Sequence, residues 1–166
     1  MTTDTLKRFG WFLIFFLAQV IVLGRIHLFG VATPLLYVYF VLQFPRNHPK
    51  WALLLWSFSM GLLVDIFFNT PGVAAASLTV IAAIHPYYLE LFIPHDSPED
   101  LRPTLKTFGT MRYSNYVIPL VLVYCVLFFT LEHFSFFNAL HWLLCVVGST
   151  LLTVALIFTF EIAKKK

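Results

Sequence analysis

The sequence predicts an all-α integral membrane fold of six transmembrane helices with both ends of the chain in the cytoplasm, and three observations carry that prediction. The first is bulk chemistry. Of 166 residues, 60% are hydrophobic and only 11% charged, with a mean hydropathy of +0.84; soluble domains run at roughly 45–50% apolar and about 25% charged. A water-soluble fold of this length has no interior large enough for so much apolar surface, so lipid is the natural solvent of its exterior. The second is continuity. Stretches such as Leu53-Leu54-Leu55-Trp56 and Val121-Leu122-Val123 are apolar at every step and lack the period-two alternation of a membrane β-barrel. The third is where the cations fall. With the N-terminus inside, six spans place Lys7, Arg8, Arg46, Lys50, Arg102, Lys106, Arg112, Lys164, Lys165 and Lys166 on the inner side and Arg25 alone on the outer, the bias of cytoplasmic loops.

Apolar runs between turn signals give helices at about 9–24, 29–44, 51–68, 73–93, 116–131 and 139–163, a single polytopic domain over residues 1–166. Each must be helical, because a backbone inside hydrocarbon has to satisfy its own hydrogen bonds. The first follows Lys7 and Arg8 without a small-x-small cleavage site and reads as a permanent helix rather than a cleaved leader. The first two are cramped, since residues 9–44 number 36 and two full spans need ~20 each. They must be short, tilted or joined by a very tight turn near residues 25–30, the alternative being one full span and a re-entrant half-helix.

Pro45-Arg46-Asn47-His48-Pro49-Lys50 separates the second helix from the third, and Asn69-Thr70-Pro71-Gly72 the third from the fourth. Pro86 removes a backbone donor near the inner end of the fourth and should kink it, with His85 offering a side-chain partner to what is freed; a proton relay of His85 with Glu90 is the alternative. The cytoplasmic loop, 94–112, is the one sizeable connection. In it Leu101, Leu105 and Phe108 share a helical face while Arg102 and Lys106 point elsewhere. It is therefore either a short amphipathic surface segment, limited by Pro103, or a solvated connector. Residues 132–138 contain no Lys or Arg, as befits an outer turn. Trp11, Trp51, Tyr113 and Tyr116 at inner helix ends and Trp142 near an outer one supply interfacial anchors.

Ionisable residues inside a membrane are costly and each needs a partner, a proton or water. Asp65, near the outer end of the third helix, is the sharpest case. Arg25 lies fourteen residues beyond Trp11, as Asp65 lies fourteen beyond Trp51, so each is ~21 Å from its inner anchor. The two pair if the first and third helices touch; otherwise Arg25 snorkels to head groups and Asp65 faces water. Small residues mark close helix approach: Ser57 with Gly61, Ala75 with Thr79 and Ala83, and Ser149 with Thr153, read as packing within the chain ahead of a homodimer seam. Cys125 and Cys145 lie in apolar runs and read as small hydrophobes, a bridge between neighbouring helices being the alternative. The histidines show no metal-ligand spacing with a cysteine or carboxylate. No nucleophile set and no phosphate loop is present, so neither enzyme activity nor a cofactor is expected. A net charge of +3 and a pI near 9.0 do not point to nucleic acid, because the basic residues never gather on one polar face.

The run from Thr33 and Pro34 to Phe44 and Pro45, followed by Gly61-Leu62-Leu63-Val64-Asp65-Ile66-Phe67-Phe68-Asn69-Thr70-Pro71-Gly72, resembles the rod shape-determining protein MreD family over the whole chain. The matching positions are Pro34 opening the second helix, Pro45 closing it before a short basic loop, and a Gly-x-x-x-Asp helix, Gly61 to Asp65, that runs into a turn with Gly72. The resemblance implies a fold similar to the substrate-binding subunit of energy-coupling-factor vitamin transporters. It also implies a non-enzymatic place in the bacterial elongation machinery of the inner membrane. The partners implied are the bitopic protein MreC, the synthase pair of RodA and its penicillin-binding protein, and indirectly the MreB filament. The structural or partner-facing candidates are thus Arg25, Pro34, Pro45, Gly61, Asp65, Pro71 and Gly72. The competing expectation is a transport subunit that holds a small ligand in an outward pocket lined by Asp65 and Arg25.

Overall fold

Continuous apolar runs wind into helices wherever lipid or a neighbouring helix covers them. The computed structural model describes residues 2–23, 32–93, 97–98, 101–132 and 139–165. Its helices are α1 (Thr2–Leu17), which passes into a π-helical turn at Ala18–Val22, then α2 (Val38–Leu42), α3 (Lys50–Phe68), α4 (Val73–Glu90), α5 (Leu105–Glu132) and α6 (Ala139–Lys165). Five of them, α1 with its π turn and α3 to α6, are long and apolar enough to cross a membrane. The chain is a helical multi-pass membrane protein.

The fold is a chain of neighbours: α3 packs chiefly on α4, α4 on α5 and α5 on α6, while α1 touches both α2 and α3. Leu13, Ile14 and Leu17 on α1, Ile21 on its π turn, and Leu140, Leu143, Leu144, Val147 and Leu151 on α6, point outward. An apolar outer face is what lipid as solvent requires. Cys125 and Cys145 are buried and free, so no bridge joins α5 to α6.

Two boundaries differ from the sequence expectation. The second helix, expected over 29–44, is one short helix, Val38–Leu42, preceded by an irregular stretch at 33–35. Its five residues are all at most 3% exposed. Aromatic rings from both flanks grip it: Phe12 of α1 meets Phe40 edge-on at 5.6 Å, and Trp56 of α3 meets Phe40 at 6.3 Å. An extended residue advances ~3.3 Å and a helical one 1.5 Å, so the unwound stretch reaches further along the bundle than the same number of helical residues would. Non-helical backbone at this depth is tolerated because protein, not lipid, surrounds it.

The loop expected at 94–112 is also shorter, because α5 starts at Leu105 rather than near 116. Its first turn is offset by Gly109, whose φ of 74° and ψ of 165° lie in a region only glycine occupies readily. From residue 110 onward the helix is ~34 Å long, enough to span the hydrocarbon core. Leu105 and Phe108 are buried and Arg102 and Lys106 exposed, so the amphipathic face lies against the bundle itself. Pro86 is accommodated inside α4, and His85 beside it is buried, edge-on to Tyr116 at 6.1 Å.

Candidate functional site

Polar side chains inside the bundle gather in three knots along its length. The first ties α3 to α4. α3 ends at Asn69, left-handed with φ 56°, and α4 is entered through Gly72 with φ 79°. The first amides of a helix have no partner within it, and Gly72 has no side chain to serve them. Asp65 serves them from the preceding helix: Oδ1 accepts the Ala74 N–H and the Thr70 hydroxyl, and Oδ2 accepts the Ala75 N–H, each at 2.8 Å. The carboxylate is 5% exposed, and the positive end of α4 compensates its charge.

One turn earlier on the same face, Gly61 lets the two backbones touch. A Cβ there would lie 2.4 Å from the Ala75 Cα and 2.7 Å from the Ala74 carbonyl oxygen. Glycine fixes the approach and aspartate uses it. Gly61 of the small-residue pair expected on α3 and Ala75 of the stripe expected on α4 meet at this contact, while Ala83 at the far end of that stripe is exposed.

The second knot holds the irregular segment before α2. The Gln19 amide, carried by the π turn, donates to the Pro34 carbonyl at 2.8 Å and accepts the Leu36 N–H at 3.1 Å. From α6, Ser149 Oγ accepts the Thr33 N–H at 3.0 Å and Thr153 Oγ1 accepts the Leu35 N–H at 3.1 Å. Ser149 and Thr153 therefore do more than narrow a helix contact: they replace the hydrogen bonds that the unwound backbone has lost.

The third knot lies where α6 nears its C-terminal end. Glu161, 3% exposed, accepts the Tyr39 hydroxyl on Oε1 and the Leu105 N–H on Oε2. Between the second and third knots the Tyr37 and Tyr124 hydroxyls bond to each other. Thr33, Leu35 and Tyr39 thus meet Ser149, Thr153 and Glu161 in the same order, so the segment runs parallel to α6.

Among the described residues the basic side chains assemble at the end that holds Glu161. Arg8 donates to His48 Nε2 at 2.7 Å and lies over the Phe44 ring at 5.5 Å. Lys164 Nζ lies 5.2 Å over Trp11, and Lys50 Nζ 4.2 Å over Tyr87. Burial, with the Arg8 guanidinium adding to it, pushes the His48 imidazole down to about 4, so at neutral pH it is the acceptor that Arg8 needs. At the opposite end a cavity of about 170 Å³ is lined by Gln19, Thr33, Tyr37, Thr70 and Glu132.

Of the residues singled out from sequence, Gly61, Asp65, Pro71 and Gly72 come together in one hairpin, with Pro71 exposed at its turn. Pro34 and Pro45 stand apart from it, at the two ends of the buried segment; the Pro34 carbonyl takes the Gln19 amide and the Pro45 carbonyl takes the His48 N–H at 3.2 Å. Arg25 lies outside the described residues, and with it the expected pair with Asp65. Asp65 does not line that cavity. Gln19 and Glu161 were not singled out, although Gln19 is a lone amide within an apolar run and Glu161 the one carboxylate of the last helix. Among the described residues no three His, Cys, Asp or Glu side chains converge on one point. The chain matches no protein-family model, no curated protein and no solved structure.

Proposed function

We propose that the chain is a non-enzymatic scaffold subunit of the bacterial cell-elongation machinery, seated in the inner membrane as the MreD resemblance implies. In this reading it crosses six times, with segment 32–44 as the second crossing, and the basic end faces the cytoplasm in keeping with the positive-inside bias. Its partners are an MreC-like bitopic protein and the pair of RodA and its penicillin-binding protein, with MreB filaments reached indirectly. Lipid-embedded helix faces and the inner loop are the surfaces left for them.

The observation that carries this reading is how the interior polar groups are spent. Gln19 uses both ends of its amide on backbone, Tyr37 is bonded to Tyr124, and Thr70 donates to Asp65. Asp65, the residue best placed by sequence for ion or ligand chemistry, is consumed in capping α4. Groups committed to holding helices together make a rigid platform, which is what an assembly subunit needs. Depletion of the protein in its host, scored by microscopy and by labelled wall-precursor incorporation, should convert rods to spheres; unchanged shape and wall synthesis would refute the proposal.

The outer cavity favours one competing reading, a small-ligand subunit of a vitamin-type transporter. Mild detergent extraction separates the two. Recovery with an MreC-like partner supports the scaffold, and recovery with an ATPase module and a bound vitamin supports the transporter.

A further inference from the structure

We propose that the basic end carries a site for the phosphate of an anionic phospholipid, formed by Arg8 and Arg102 above Trp11 and Phe44. These residues line one shallow cleft of about 330 Å³, counting the part open to solvent. Only about 30 Å³ of it is deep enough to hold a water-sized group, room for about two waters and too little for a whole metabolite. A phosphate tethered to a lipid needs no more, because the rest of the molecule stays outside.

Two features suit an anion there. Two guanidinium-bearing side chains from distant parts of the chain converge on one cleft, and no carboxylate is among its described lining residues. The Arg8 head is held in place by its bond to His48 and its seat on Phe44, whose ring stacks on His48 at 4.8 Å. Arginine presents a planar fork that matches phosphate oxygens, and here part of the ordering cost is met by the fold.

Placement selects the source of the phosphate. The cleft is floored by Trp11, Phe40 and Phe44, and Lys164 sits over Trp11. Aromatic rings interleaved with cations at a helix end are the furniture of the membrane interface, and basic pockets between helices on the cytoplasmic side suit anionic head groups. The inference concerns this cleft alone and stands whether or not the chain serves cell elongation.

The test is lipid retention by the full chain purified in mild detergent, read by native mass spectrometry after addition of phosphatidylglycerol or phosphatidylcholine. Phosphatidylglycerol should be retained preferentially. Arg102→Gln, exposed in the fold, should cut that retention several-fold, and Arg8→Gln with Arg102→Gln by about tenfold or more, the scale of lost charge-assisted bonds. Arg46→Gln, outside the cleft, should leave it unchanged. Equal retention of both lipids, full retention by the Arg102→Gln variant, or an equal loss in Arg46→Gln would overturn the proposal. So would displacement of the lipid by soluble glycerol phosphate at equal concentration, which would make the site one for free phosphate.

Discussion

At Gly61 the contact between α3 and α4 leaves no room for a methyl group, and the obstructing atoms are backbone, which cannot swing aside. Gly61→Ala should therefore destabilise the protein by about 1–3 kcal/mol or more, whereas Gly10→Ala, with nothing within 4 Å, should be close to neutral. Thermal unfolding of both variants in the same detergent checks this. Asp65→Asn keeps one acceptor oxygen but turns an N–H₂ toward an amide hydrogen, and should cost about 2 kcal/mol; Asp65→Ala leaves two amides and the Thr70 hydroxyl without a partner and should cost more. The unfolding midpoints should rank wild type, then Asn, then Ala. His48 adds a pH term of known sign. Its imidazole, ordinarily near 6.5, is held near 4, so between those values the unfolded chain binds the extra proton and stability rises with pH. The contribution is complete above about 6.5 and is lost as pH falls toward 4, and His48→Gln should flatten the slope in that window. Asp65 was legible in the sequence as a costly carboxylate. Its partners were not, because backbone amides have no letter of their own and every non-proline residue offers one.

Among the elements, the unwound stretch before α2 depends most on distant side chains. Hydrogen exchange should find the amides of Leu35 and Leu36 protected although neither lies in a helix. Gln19→Leu should release Leu36 while Leu35, held by Thr153, exchanges more slowly than Leu36 does. If both amides exchange freely in the unaltered protein, the segment is not held as described. Gly109→Ala tests the offset at the start of α5. A Cβ there meets nothing within 4 Å, so any loss, about 1–3 kcal/mol, would come from backbone conformation alone. The existence and order of α1 and α3 to α6 were readable from hydropathy, since lipid imposes one rule on every exposed run. The two failures have a common cause. Residues 29–44 are apolar like a helix, but what unwinds 33–35 is a set of partners fifteen to 118 residues away, and the α5 start depends on Gly109 taking a conformation that hydropathy does not encode. The crowding of residues 9–44 was the one sign that two ordinary helices would not fit.

For the molecule as a whole, the cations among the described residues gather at one end and the capped α3–α4 turn lies at the other, with apolar surface between them on the outermost helices. That arrangement fits a body whose equator is in lipid, and it makes the side on which each loop emerges the consequence most open to test. Cysteine placed at Lys7, Arg46 or Pro71, all exposed, reports sidedness directly, because native Cys125 and Cys145 are buried. In intact cells an impermeant thiol reagent should label Pro71→Cys and leave Lys7→Cys and Arg46→Cys untouched until the membrane is opened. Labelling Arg46→Cys and Lys7→Cys from opposite sides would show that segment 32–44 turns back within the membrane instead of crossing it, and labelling all three from one side would contradict the membrane-spanning fold itself.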